Sequence, residues 1–258
     1  MIAIIDCCGS NFTSIQYAFE RLGQTVVLTH DHQVIQTADY VILPGVGHAK
    51  TAMEALKLYQ LDQLIPTLTQ PVLGICLGMQ LLHEFSEEGM VECLKIIPGS
   101  VKRFQSSDAL IPHMGWNRLL IDDTAHNTNA LFSGISLDDY VYYVHSFYAE
   151  PTAFTVAYND YINHFSAMVN KDNFYGMQFH PEKSGKVGER LLKNFIDLSM
   201  DRKNLKNLMI QEALKLMKDF DDTGLGITGE EAIRWLNTWG TDAETSAPKV
   251  RKLDKGSK

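Results

Sequence analysis

The first two hundred residues alternate short apolar runs with longer stretches whose apolar positions recur at helical spacing. "MIAIID" opens as a buried strand, and "FTSIQYAFERLG" follows as an amphipathic helix closed by Gly23. "QTVVLT" and "DYVILPG" predict further strands separated by polar turns, including "THDHQV", where His30 and His32 fit a polar loop better than a metal site. Residues 49 to 64 place Ala52, Met53, Leu56 and Leu61 on one stripe and predict a helix. "PVLGICLGMQLL", residues 71 to 82, begins as a proline-led apolar strand and turns helical around Cys76, which stands between Gly74 and Gly78. Strands alternating with helices in this way predict an α/β fold whose mostly parallel sheet is covered on both faces. Open sheets of this kind place their sites at the C-terminal strand ends, and Cys76 falls at one.

From about residue 97 the pattern changes to short strand-like pieces, "GSVKRF", "RLLID", "DYVYYVHSFYAE" and "FTVAYN", which predict an antiparallel extension of the sheet. "FYGMQFHPEKSG" carries a strand toward His180, and "GERLLKNFIDLSM" predicts an amphipathic helix ending near residue 199. Beyond it, "LKNLMIQEALKLMKDF" has helical periodicity, "DDTGLG" reads as a turn, and Thr228 with Glu231 forms a capping-box start for "GEEAIRWLNTW". The final "GTDAETSAPKVRKLDKGSK" has a disordered, partly basic composition. The expected organisation is a domain over residues 1–199 and a helical extension with a disordered end over 200–258.

Composition narrows the function classes. Hydrophobic content of 45% and charge of 21% fit a soluble enzyme, and a net charge of −8 argues against a general nucleic-acid binder. Neither a signal-peptide pattern nor a membrane-length apolar run is visible, so a cytoplasmic location and no membrane association are expected. The four cysteines, at positions 7, 8, 76 and 93, have neither metal-ligand nor disulfide-framework spacing, so reduced thiols and no metal are expected.

The candidate chemistry centres on Cys76. A free cysteine is often a core filler. Between two glycines at a strand-to-helix changeover, however, it also fits a nucleophile elbow, with the positive end of the helix favouring thiolate. His180-Pro181-Glu182 supplies the matching parts. Proline holds His180 extended, so residues two apart can point the same way, and Glu182 can reach one imidazole nitrogen while the other faces Cys76. In such a relay the carboxylate orients the imidazole, the imidazole moves a proton, and the thiolate forms an acyl-enzyme. "LPGVGHA", residues 43 to 49, offers backbone amides for a developing oxyanion.

These elements, with "IPHMGWNRL", "YVYYVHSFYA" and "KDNFYGMQFHPEKSG", resemble the class I (triad) glutamine amidotransferases over residues 1 to about 197. More narrowly, "PHMGWN", "VHSF" and the lysine-serine after HPE resemble the glutaminase subunits of imidazole glycerol phosphate synthase, a histidine-pathway enzyme. The resemblance implies a flavodoxin-like α/β fold with an antiparallel extension. It implies Cys76 as nucleophile, His180 as general base then acid, and Glu182 as orienting carboxylate. The Leu77 amide would form part of the oxyanion hole, completed by the peptide at Val46. Gly47, Gln80 and the Ser146 region would hold glutamine. Asn11, Trp116, Asn117, Tyr142 and Lys183 would line the face meeting a separate (β/α)8 cyclase subunit in a heterodimer. The implied reaction releases glutamate and ammonia, without metal or organic cofactor, and the cyclase uses the ammonia to make imidazole glycerol phosphate and an aminoimidazole carboxamide ribotide.

The chain departs from the family at "DCCGSN", where an aromatic-glycine pair is common, and at "PGVGHAK", which lacks the usual aromatic. Cys7 and Cys8 thus sit near the implied interface, where packing rather than redox chemistry is expected. A glutaminase feeding chorismate, a purine nucleotide or a surface-sugar precursor would carry the same triad, but "PHMGWN" and Lys183 argue against it. The tail segment "GITGEEAIRWLNTWGTDAE" is loosely similar to the C-terminal end of small antitoxin-type proteins, which leaves open a binding role for the extension.

Overall fold

The computed structural model describes residues 1–7, 12–121, 126, 128–198, 225–226, 231 and 251–252. The chain divides into two compact units, Met1–Ser199 and Met200–Lys258.

The first unit begins with the expected alternation: β1 (Ile2–Ile5), α1 (Phe12–Arg21), β2 (Val26–Thr29), α2 (His32–Thr37), β3 (Tyr40–Leu43), α3 (Ala49–Leu58), α4 (Leu61–Leu64), β4 (Val72–Ile75) and α5 (Leu77–Leu81). The strands β1, β3 and β4 are buried along their whole length, which is why they read as unbroken apolar runs rather than alternating ones. Two expectations are corrected here. "THDHQV" is not a loop: Asp31 caps α2 by accepting from the Val34 N–H at 3.0 Å, and His32 is the first helical residue. The helix expected over 49 to 64 is broken between α3 and α4, where Gln60 turns to φ 56°.

The chain continues through β5 (Phe85–Ser86), β6 (Val91–Glu92), β7 (Ser100–Arg103), β8 (His113–Arg118), β9 (Leu120–Ile121), β10 (Tyr140–His145), β11 (Phe147–Ala149), β12 (Thr155–Asp160), β13 (His164–Lys171) and β14 (Phe174–Met177). A helix over residues 185–198, α6, closes the unit. The main sheet has the order β2-β1-β3-β4-β14-β13-β12-β9, parallel from β2 to β14 and antiparallel beyond. Among the described residues, β12, β13 and β9 alone form the expected antiparallel extension. β8 and β10 pair as a separate ribbon, and β11-β7-β5-β6 makes a small sheet of its own.

Strand alternation sorts the core onto two faces. Ile2, Ile4, Ile42 and Ile75 pack with Phe19 of α1 and Leu192 and Phe195 of α6. Ala3, Ile5, Val41 and Leu43 pack with Ile35 of α2, Met53 and Leu56 of α3 and Met79 of α5. Burying the sheet on both sides removes its apolar surface from water and fixes the strand ends that carry Cys76 and His180. No helix among the described residues is long and apolar enough to cross a membrane.

In the second unit, β15 (Leu225–Gly226) pairs antiparallel with β16 (Arg251–Lys252). The rest of "DDTGLG" and of the C-terminal stretch lies outside the described residues. The helices expected over "LKNLMIQEALKLMKDF" and "GEEAIRWLNTW" lie outside the described residues, except Glu231, which is helical.

Candidate active site

Cys76 sits between β4 and α5 with φ 51° and ψ −109°, a conformation that an L-residue adopts only under constraint. Glycines supply that constraint. A Cβ at Gly78 would fall 1.8 Å from the Leu43 carbonyl oxygen, and one at Gly74 would fall 2.6 Å from the Gly78 oxygen. Gly45 meets the same turn from the other side: its Cβ would lie 2.3 Å from the Gly78 nitrogen. The "PGVG" segment is thus pressed against the elbow, a packing role for Gly45 that its sequence context did not reveal. The Cys76 N–H donates to the Met177 oxygen at 2.7 Å, tying the elbow to the end of β14.

β14 ends at Met177, short of His180. Residues Pro181–Lys183 form a 3-10 turn, and it is this turn, with His180 extended before it, that brings Glu182 back to the imidazole. The expected geometry of a continuous extended segment is therefore corrected. Adding a Cβ at Gly188 of α6 would strike the Pro181 oxygen at 1.9 Å, so the helix start lies directly on the turn. The His180 segment is also clamped to β10. Its N–H donates to the Tyr142 oxygen at 2.9 Å, the Tyr142 N–H donates to Ser184 Oγ at 3.0 Å, and Ser184 Oγ–H donates to the His180 oxygen at 2.7 Å.

The side chains meet as the chemistry requires. His180 Nδ1 lies 2.8 Å from Glu182 Oε1, with the two side chains 2% and 0% exposed. With Nδ1 turned to Glu182, Nε2 is the nitrogen left for the sulfur, and the Cys76 side chain is near enough to act on the imidazole. Burial opposes a charged imidazole, but the hydrogen bonds and charges of Cys76 and Glu182 outweigh it and hold the His180 pKa well above its ordinary value. Such a site favours a protonated imidazole beside the sulfur.

The other expected residues fall into distinct settings. Leu77 is the first residue of α5, so its N–H has no partner within the helix. Val46 lines a narrow crevice with Phe12, Ile15, Pro44, Gly45, Ile75 and His180. Gly47 is exposed at φ 114°, with open space where a Cβ would be. Gln80 is buried, and its amide nitrogen donates to the Phe147 oxygen at 2.8 Å and to Gln178 Oε1 at 2.9 Å. Ser146 is half-buried between β10 and β11, its carbonyl accepting from the Phe104 N–H at 3.0 Å.

Trp116 and Tyr142 face each other across the β8–β10 register with their rings edge-on, and Trp116 is 56% exposed. Lys183 is exposed as well. Asn117 instead turns its amide inward, donating to Asn159 Oδ1 at 3.0 Å. Asn11 lies outside the described residues.

Sequence reasoning missed Gln178, His113 and His145. Gln178 is buried, and its Nε2 donates to Cys76 Sγ at 3.6 Å. His113 Nδ1 and His145 Nε2 are 3.1 Å apart in the core. "GMQFHPE", "PHMGWN" and "VHSF" contain all three, but the contacts depend on pairings between distant strands.

A Cys-His-Glu constellation on an α/β elbow defines a class of protein, and the chain belongs to the class-I glutamine amidotransferase family, whose model matches residues 3–198. Within that family it is similar to imidazole glycerol phosphate synthase subunit HisH. The protein of that name from Bacteroides thetaiotaomicron is 52% identical over 200 residues, covering 76% of this chain and 99% of that protein. The one from Idiomarina loihiensis is 48% identical over 199 residues, covering 77% of this chain and 98% of that protein. Among solved structures, a glutamine amidotransferase superposes with a TM-score of 0.60 at 15% identity, covering 77% of this chain and 98% of that one. PurLQS from Thermotoga maritima gives 0.52 at 17%, covering 76% and 97%. At that identity the two share the fold alone. Residues 208–253 match the antitoxin RelB3 C-terminal domain.

Proposed function

We propose that the first unit is the glutaminase subunit of an imidazole glycerol phosphate synthase, with Cys76 as nucleophile, His180 as proton carrier and Glu182 as its orienting carboxylate. The observation that carries this is the buried 2.8 Å contact of His180 Nδ1 with Glu182 Oε1, on an imidazole that also feels the strained Cys76. The thiolate attacks the glutamine Cδ carbonyl, and the oxyanion is met by the Leu77 N–H and a peptide N–H of the Val46 segment. His180 gives its proton to the departing amine, so ammonia leaves and a thioester remains. Water then attacks the thioester as His180 takes its proton, releasing glutamate and restoring the pair. Gly47, Gln80 and the Ser146 region hold the substrate.

The acceptor of the ammonia is a separate (β/α)8 cyclase subunit, docked on the ribbon of β8 and β10 in a heterodimer. Two features support this reading. Relatives about half identical over nearly their whole length bear the synthase name. The exposed Trp116 and the half-buried Tyr142 lie on the same ribbon whose backbone holds His180. Partner docking on that ribbon therefore acts on the position of the imidazole. Asn11 and Lys183 complete the docking face, while Asn117 supports it from within. A glutamine-analogue electrophile, applied with the cyclase and its nucleotide ligand present, should label Cys76 stoichiometrically. An unmodified thiol under those conditions would remove the catalytic assignment.

The match to an antitoxin domain favours a second role, in residues 200–258, as a protein-binding segment of antitoxin type. Removing these residues should leave partner-stimulated glutaminase activity intact and abolish protection of cells that express a toxin paired with such a domain. Loss of glutaminase activity on removal would instead make the extension part of the enzyme.

A further inference from the structure

We propose that Gln178 is a catalytic residue that hydrogen-bonds the Cys76 sulfur, its amide held donor-first by the Phe147 carbonyl acting through Gln80. This rests on Cys76 being the nucleophile.

The polarity of the chain can be followed atom by atom. The Arg118 N–H donates to Asn117 Oδ1 at 2.8 Å, and Asn159 Nδ2 donates to the Arg118 oxygen. Asn117 must therefore present its NH2 group to Asn159 Oδ1 at 3.0 Å, the Asp160 oxygen at 3.3 Å and His113 Nε2 at 3.3 Å. The Phe147 carbonyl beyond His145 settles the tautomers from the other end: His113 Nδ1 carries the proton and donates to His145 Nε2 at 3.1 Å, and His113 Nε2 faces Asn117. His145 in turn carries its proton on Nδ1 and donates to the Phe147 oxygen at 2.7 Å. Burial pushes both imidazoles down, to about 4 for His113 and about 3 for His145, so both stay neutral and keep these tautomers at neutral pH.

The Phe147 carbonyl can only accept. It meets Gln80 Nε2 at 2.8 Å, and the second hydrogen of that NH2 group goes to Gln178 Oε1 at 2.9 Å. Gln178 is left one way to sit, with Nε2 toward Cys76 Sγ at 3.6 Å. Reversed, its carbonyl oxygen would face the sulfur and disfavour the thiolate. The same accounting leaves Gln80 only its carbonyl oxygen for a ligand. The titratable groups around the sulfur are His180, its partner Glu182, and His145, whose charge would act through His180.

The test is the pH dependence of Cys76 alkylation by iodoacetamide in the full chain, with Cys76→Ala as the blank, beside glutamate release with the cyclase present. Gln178→Glu keeps an acceptor for Gln80 but turns a carboxylate oxygen to the sulfur. Its alkylation midpoint should move up by about one pH unit or more, roughly tenfold less reaction at any pH below the wild-type midpoint, with kcat falling and KM held. Gln178→Met, similar in size and without a donor, should move it the same way by less, and it decides the matter if the first variant does not fold. A midpoint that stays at the wild-type value in either folded variant overturns the proposal. Wild-type protein that alkylates normally but releases no glutamate with its partner present would instead count against the glutaminase reading.

Discussion

Replacing Cys76 by glycine and by alanine separates backbone strain from chemistry. Both variants remove the sulfur, so the loss of His180's partner cancels between them. At an ordinary buried position alanine would be the more stable. Glycine costs about 0.5–1 kcal/mol in chain entropy, and a buried methyl contributes about 0.8 kcal/mol. At φ 51° and ψ −109° the Cβ itself is the problem, and holding an L-residue there costs of order 1–3 kcal/mol. Taking about 2 kcal/mol of strain against about 1.5 kcal/mol in alanine's favour, glycine should come out level or ahead by about 0.5 kcal/mol. Urea unfolding followed by circular dichroism, with equal m-values, gives the difference from the midpoints. Alanine more stable than glycine by about 1 kcal/mol or more would mean that the elbow stores no strain, and the account of Cys76 as a residue held against its preference would fail.

Further predictions test the packing, the electrostatics and the relay. Gly78→Ala places a Cβ 1.8 Å from the Leu43 oxygen, against backbone that cannot yield, and should cost at least about 3 kcal/mol by urea midpoint. Burial pushes His83 and His113 down to about 4 and His145 to about 3, so between the unfolded value near 6.5 and those values the unfolded chain binds more protons. The contribution of these three is therefore full above pH ~6.5 and falls on acidification, by up to about 3 kcal/mol for His83 alone at pH ~4. His83→Leu should flatten that slope by about one proton, and an unchanged slope would contradict it. Glu182→Gln removes the charge that orients and supports the imidazole and should lower kcat by at least about a hundredfold while leaving the fold's urea midpoint far less affected.

The parallel half of the fold was legible because β1, β3 and β4 are buried along their whole length and helices with apolar stripes follow β1 and β3. The elbow was legible for a local reason, since the glycines that permit it flank Cys76 in sequence. The middle of the chain was not. β5, β6 and β9 are two residues long, too short for a period, and nothing local says that β8 leaves the main sheet to pair with β10. The His180–Glu182 contact was expected from spacing, but the 3-10 turn that makes it depends on the close approach of Gly188. Gln178 escaped notice for the same kind of reason. Its meaning comes from Phe147, Gln80 and Cys76, which lie far apart in the chain and meet only through strand pairing.

The central claim is most directly tested by glutamate release from glutamine, measured for this chain alone, then with a histidine-pathway cyclase subunit and its nucleotide ligand, with Cys76→Ala as the blank. Strong stimulation by partner and ligand, absent from the blank, is the predicted result. Release that is indifferent to the cyclase, or that survives in the blank, would contradict it.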